Sequence, residues 1–202
     1  MITDYTSLKA SIAERLHRSD LTSLIPEFIA DAEARIYNDL RIQAMEESYS
    51  QAIASGVAAL PTGFMEWKFL YVDASSAKKL TRKDAEWIYT NYPTRSAEGT
   101  PVFFAREGSN LIFGPYPPDG LTVKGVYYKR PAALSDSNTT NWLIENAPDL
   151  LRYAALTEAA VHMRDSEAHQ VFDGKTVQLL RRVQKTDDQE SFSGSVLSVT
   201  KG

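Results

Sequence analysis

Ile25-Pro26-Glu27-Phe28-Ile29-Ala30-Asp31-Ala32-Glu33-Ala34-Arg35-Ile36-Tyr37-Asn38-Asp39-Leu40 is followed, six residues on, by Glu47-Ser48-Tyr49-Ser50-Gln51-Ala52-Ile53. In the first run Ile25, Phe28, Ile29, Ala32, Ile36 and Leu40 recur at spacings of three and four, one apolar stripe of an amphipathic helix. In the second run the period drops to two, as in a strand with one buried face. The fold is therefore mixed, and the change falls near residue 46. Pro26 suits a first helical turn, where its missing N–H costs nothing, and the spacing predicts a helix over 22–40.

Upstream, Tyr5, Leu8, Ile12 and Leu16 form a second stripe and predict a helix over 6–17 with Thr6 as its N-cap. The break at Arg18-Ser19-Asp20 is short enough to make the two helices antiparallel neighbours. Downstream, Ser55-Gly56 reads as the turn of a hairpin joining Tyr49, Gln51 and Ile53 to Val57 and Leu60. Trp67, Phe69 and Tyr71 alternate with Lys68, Leu70 and Val72, a strand covered in part on both faces. A short helix over 84–89 is entered from Thr81, and a second hairpin joins 102–106 to 111–113 through Gly108-Ser109-Asn110. Pro115-Tyr116-Pro117-Pro118-Asp119-Gly120 is a rigid loop, with Tyr116 expected to be exposed, and 121–128 is a last strand. Helical periodicity returns after Asn141: one turn over 142–145, a helix opened by Pro148 and running to 164, and a final helix capped by Asp165 or Ser166 and running to 187.

Of the 21 aromatic residues, 14 lie within 61–142, which separates a β-rich middle from helical flanks. The expected class is α+β. Residues 1–45 and 141–190 form a four-helix bundle, 46–140 an inserted antiparallel β-rich domain, and 191–202 an extended C-terminal arm. Phe192, Val196, Leu197 and Val199 stand in that arm among serines and glycines, so it is either a disordered tail or an arm that orders on a partner.

At 202 residues, with 43% hydrophobic and 24% charged side chains, the chain can bury a core without staples. The absence of cysteine removes disulfides and thiolate chemistry together and agrees with folding in a reducing cytosol. No signal-peptide pattern opens the chain and no run of eighteen apolar residues appears, so a soluble protein without membrane contact is expected. The net charge is −4 and is evenly spread: 5 basic and 7 acidic side chains over 1–45, 10 and 10 over 46–140, 7 and 9 over 141–202. That balance disfavours counterion-releasing DNA binding.

Catalytic motifs are missing: no phosphate-cradling glycine loop and no Gly-x-Ser-x-Gly elbow. His162 and His169 are seven residues apart across a helix break, poor spacing for a shared metal. Glu46-Glu47 and Asp187-Asp188 are adjacent and point apart, which suits solvated charge better than paired acid/base work. Arg181-Arg182-x-x-Lys185 reads as the solvent face of a helix or a contact for an acidic partner. Neither catalytic residues nor a metal or other cofactor are expected. The aromatic middle fills a small core, with any exposed members free to stack on a ligand or anchor an interface.

The order of short strings is familiar. Tyr5-x-x-Leu8-x-x-x-Ile12-x-x-x-Leu16-His17-Arg18-x-Asp20-Leu21, Ile25-Pro26-x-Phe28-Ile29 and Ala32-Glu33-Ala34-Arg35-Ile36 open the chain. Leu60-Pro61-x-x-Phe64, Phe113-Gly114-Pro115, Tyr127-Tyr128-x-Arg130 and Leu134-Ser135-Asp136-x-Asn138 follow. Thr140-Asn141-Trp142-Leu143, Ala147-Pro148-Asp149-Leu150-Leu151 and Phe192-Ser193-Gly194-Ser195 complete the series. Together they resemble the head-to-tail adaptor (connector) proteins of short-tailed phages, over nearly the whole chain. The resemblance implies a structural virion protein, made in the host cytoplasm, that forms a dodecameric ring at the head–tail interface. Such a ring joins the portal protein to a tail or nozzle protein and extends the DNA channel, with genomic DNA passing without specific binding. It also implies a portal contact through the arm and last helix, assigned to Phe192, Val196, Leu197, Val199, Arg181 and Arg182. Tyr116 and Pro117 are the tail-facing candidates. The alternatives are a small hydrolase whose acid/base pair is distant in sequence, or a stand-alone carbohydrate- or nucleic-acid-binding module.

Overall fold

The computed structural model describes residues 1–73, 77–95 and 98–192, and the chain divides into two compact units: 1–44 with 131–202, and 45–130. The class is α+β.

The first unit is helical. Helix α1 (Tyr5–Leu16) is capped by Asp4, not Thr6: its carboxylate accepts from Ser7 N at 2.7 Å while Ser7 Oγ accepts from Asp4 N at 3.0 Å. This reciprocal box satisfies two orphan N–H groups, which Thr6, two residues later, does not. A 3-10 turn (Ser19–Leu24) takes up the start of the expected second helix, and α2 spans Ile25–Asp39 with Pro26 in its first turn. After the β-rich unit come α4 (Trp142–Asn146), α5 (Pro148–Met163) and α6 (Ser166–Phe192). Leu150, Leu151, Ala154, Ala155, Leu156, Thr157, Ala159 and Ala160 of α5 are all buried. A helix buried around most of its circumference belongs at the centre, and α5 indeed packs against α1, α2, α4 and α6. Its alanines let the neighbours approach closely. Arg35 of α2 ties α5 to α6 by pairing with Glu158 at 3.7 Å and with Asp173. Helix α6 runs five residues past the expected end at 187, so Ser191 and Phe192 are helical, not extended. Its cap is Asp165, whose carboxylate accepts from Ala168 N at 3.0 Å. Val171 of α6 is exposed.

Among its described residues the second unit holds two four-stranded sheets and a helix. Strands β1 (Glu46–Ala52), β3 (Phe64–Asp73), β4 (Lys78–Lys79) and β8 (Thr122–Lys129) form one sheet in the order β1-β8-β3-β4. Strands β2 (Val57–Ala59), β5 (Thr81–Arg82), β6 (Phe103–Glu107) and β7 (Asn110–Gly114) form the other in the order β2-β7-β6-β5. The β5–β6 pair is parallel, so this unit is mixed where pure antiparallel pairing was expected. Ser55-Gly56 does make the turn: both residues have positive φ, and Ala54 and Val57 exchange hydrogen bonds at 3.0 and 3.1 Å. The flanking strands then part, β1 to pair with β8 and β2 with β7.

Tyr49, Leu70, Val72 and Val123 of the first sheet meet Ala58, Phe104, Leu111 and Phe113 of the second in one core. The opposite face of the second sheet is covered by α3 (Ala85–Asn91), with Ile88 against Ala105 and Ile112. Burial on both faces accounts for the uninterrupted Leu111-Ile112-Phe113 run. Irregular register in β3 puts Trp67 on the core side with Leu70 and Val72, leaving Phe69 38% exposed, so the aromatics of that strand do not share one face as alternation implied.

Candidate partner-binding surface

In the helical unit a buried carboxylate fixes the returning chain and the start of α4. Glu33 of α2 is 3% exposed and accepts from Leu134 N at 3.0 Å and from Asn141 Nδ2 at 2.6 Å. Asn141 Nδ2 also donates to the Tyr37 hydroxyl at 3.2 Å, while Asn141 Oδ1 accepts from Ile144 N and caps α4. Burial raises the pKa of Glu33 against the opposing effect of those donors, and burial first, then the Glu33 charge, raises that of Tyr37. The network pins the returning chain to α2 and sets the start of α4, which carries Trp142.

Trp142 stands at one wall of a groove of about 430 Å³, with the start of α5 beside it and the C-terminal half of α6 opposite. Its apolar lining is Trp142, Pro148, Leu179 and Val183; its charged lining is Asp149, Arg182, Asp187 and Glu190. Two backbone contacts hold α6 there: Asp187 accepts from Gln43 N at 2.9 Å, and Gln184 Nε2 donates to Asp39 O at 3.3 Å. Arg152 holds Asp149 at 2.6 Å and reaches Ser11 Oγ at 3.3 Å. The result is an open groove with a mixed apolar and charged lining.

Of the six portal-binding candidates, Arg182 lines this groove and Arg181 is exposed beside it on α6. Phe192 is the last described residue of α6; its side chain, and Val196, Leu197 and Val199, lie outside what the structure describes. Tyr116, expected to be exposed, is half-buried: an Arg95 guanidinium lies 4.9 Å from its ring centre, and a Cβ on Gly56 would meet the ring at 2.2 Å. Pro117 is buried. These two frame their loop, whose exposed tip is Asp119-Gly120.

Other charges are absorbed locally. Glu46 pairs with Lys68 at 2.6 Å and Glu47 with Lys129 at 2.7 Å. His162 packs against the Phe28 ring at 5.5 Å. Among the described residues no three His, Cys, Asp or Glu side chains are grouped to hold a metal, and no helix is long and apolar enough to cross a membrane. In the β-rich unit, Phe64, Met65, Trp67 and Phe104 with Arg82 and Arg106 line a smaller cleft of about 230 Å³. Leu179 and Val183 stand four apart on α6, a helical spacing that gives no sign of the groove they line. The available signal was Trp142, a large aromatic on a five-residue helix too short to bury it.

Two units, one of helices around α5 and one of paired sheets, make an α+β protein. A model of the SU10 adaptor protein family matches residues 3–198, and the chain belongs to that family. Membership makes it a phage adaptor, a structural class of protein and a virion component. No curated protein shows significant sequence similarity to the chain.

Proposed function

We propose that this protein is a head-to-tail adaptor whose copies close into a dodecameric ring, joining the portal to the tail or nozzle and lengthening the DNA channel. The observation that carries this reading is the family match across 3–198. Helices α1, α2, α5 and α6 act as a four-helix bundle that meets the portal, and the inserted β-rich domain meets the tail. Ring closure uses heterologous contacts, one patch on each copy against a different patch on the next. The net charge of −4 suits a channel wall, because like charge denies DNA the counterion-releasing contacts that would hold it.

On this reading Arg181, Arg182 and the segment beyond Phe192 contact the portal. Sedimentation of the chain with its cognate portal tests that role. Arg181→Glu with Arg182→Glu weakens co-sedimentation on the order of tenfold or more, with a reduced salt dependence. Unchanged binding by this variant removes the two arginines from the contact.

A further inference from the structure

We infer that the cleft between β3 of one sheet and β5 and β6 of the other receives an acidic segment of a partner protein, an Asp or Glu beside an apolar residue. Strand geometry puts the cations there. Phe104 of β6 lies in the core between the sheets, and Arg106, two residues on, shares its face of the strand. Arg82 of β5 is the register partner of Phe104 and shares that face too. Core-side strand positions ordinarily carry apolar side chains. Here two of them carry exposed guanidiniums, at the place where the core opens to solvent. The two arginines are diagonal neighbours, near enough for both long side chains to reach one carboxylate.

Three lysines of this unit already hold carboxylates: Lys68 on Glu46, Lys124 on Asp73 and Lys129 on Glu47. Among the described residues neither Arg82 nor Arg106 pairs with one. Arg106 Nε donates to Gly108 O at 3.0 Å, and its guanidinium lies 5.8 Å from the Phe64 ring centre, contacts that fix the fork at the cleft. Trp67, in the same lining, buries its indole Nε1 with no acceptor among the described residues. Donors thus outnumber acceptors, and a carboxylate is the group that a planar guanidinium meets through two parallel hydrogen bonds. Phe64, Met65 and Phe104 supply an apolar surface for the neighbouring residue. At about 230 Å³ the cleft is smaller than the roughly 300–1,000 Å³ of small-molecule pockets, a size for one or two side chains. Two cations beside Glu66 make an anchor for one anion, not the cationic track that a nucleic-acid backbone requires. That a tail or nozzle protein presents the segment rests on the adaptor reading above; the preference of the cleft does not.

Trp67 is the reporter. In the full-length chain with ¹⁵N-labelled indoles, Trp67→Phe assigns its resonance. The peptide acetyl-Glu-Phe-Glu-amide, titrated to about 10 mM, moves that resonance saturably and leaves those of Trp87 and Trp142 in place. The uncharged acetyl-Gln-Phe-Gln-amide binds the wild-type chain at least about tenfold more weakly. Arg82→Gln with Arg106→Gln weakens the acidic peptide to the same degree and, both side chains being exposed, keeps the wild-type melting curve. A Trp67 resonance unmoved by the acidic peptide, or moved equally by both peptides, overturns the proposal. Decathymidylate acting at lower concentration than the peptide overturns the choice of partner in favour of nucleic acid. A chain that passes these tests yet ignores portal rings keeps the cleft and loses the adaptor reading. Rings on the portal with an unresponsive Trp67 do the reverse.

Discussion

Glu33 shows how one residue holds a distant stretch of chain. A buried carboxylate is tolerated only when donors surround it, and its donors come from residues 134 and 141, more than a hundred positions away. Glu33→Ala strands the Leu134 N–H and one Asn141 donor in a buried site, so urea denaturation shows a loss of about 2–3 kcal/mol. The pH dependence has a definite sign. Burial raises the pKa of Glu33 above the ordinary glutamate value of 4.5, so ionisation costs more in the fold than in the unfolded chain. Its contribution is therefore complete below the unfolded value and is lost as pH rises through the folded one. The stability of wild type relative to Glu33→Gln falls accordingly as pH is raised from the ordinary glutamate value toward neutrality. A flat difference contradicts the assignment.

At the scale of elements, the chain's own pattern foretells which segments are helix and which are strand, because period and capping are local. Helices α2, α5 and α6, the Gly108-Ser109 hairpin and strand β8 are all legible in this way. Pairing is less so: the partner of Tyr49 is Gly125 and that of Val57 is Ile112, and no turn residue at Ser55-Gly56 encodes either. The β3 irregularity leaves no compositional mark, so the facing of Trp67 and Phe69 was hidden. The groove escaped notice for the same reason: its walls, 142–150 and 179–190, meet only through tertiary packing. Arg182 was visible as a charge on a helix face, but its place in the lining was not. Strand packing also makes a direct prediction at Gly125. A Cβ there would stand 2.3 Å from Phe69 O, part of the neighbouring backbone. Gly125→Ala costs about 1–3 kcal/mol in thermal or urea unfolding, and a variant of wild-type stability would show that β3 and β8 separate easily.

The whole molecule is a helical unit interrupted by a β-rich one. Glu46 and Tyr128 are paired neighbours across β1 and β8, so the inserted unit begins and ends at nearly one point. A unit with adjacent ends and its own core can fold alone. Residues 45–130 expressed by themselves give a near-ultraviolet circular dichroism signal and one cooperative melting transition. A chain with neither would mean that the helical unit is needed for its core. Pro131 and the residues after it return to α2 through Glu33, which makes the insertion an excursion from the helical unit.

The proposed adaptor must assemble on a portal, and mass photometry with negative-stain imaging tests this most directly. The chain is measured alone and then mixed with its cognate portal. The predicted result is free subunits that form stacked rings on the portal, with added mass equal to a closed ring. Chains that remain unchanged beside a competent portal ring would contradict the central claim.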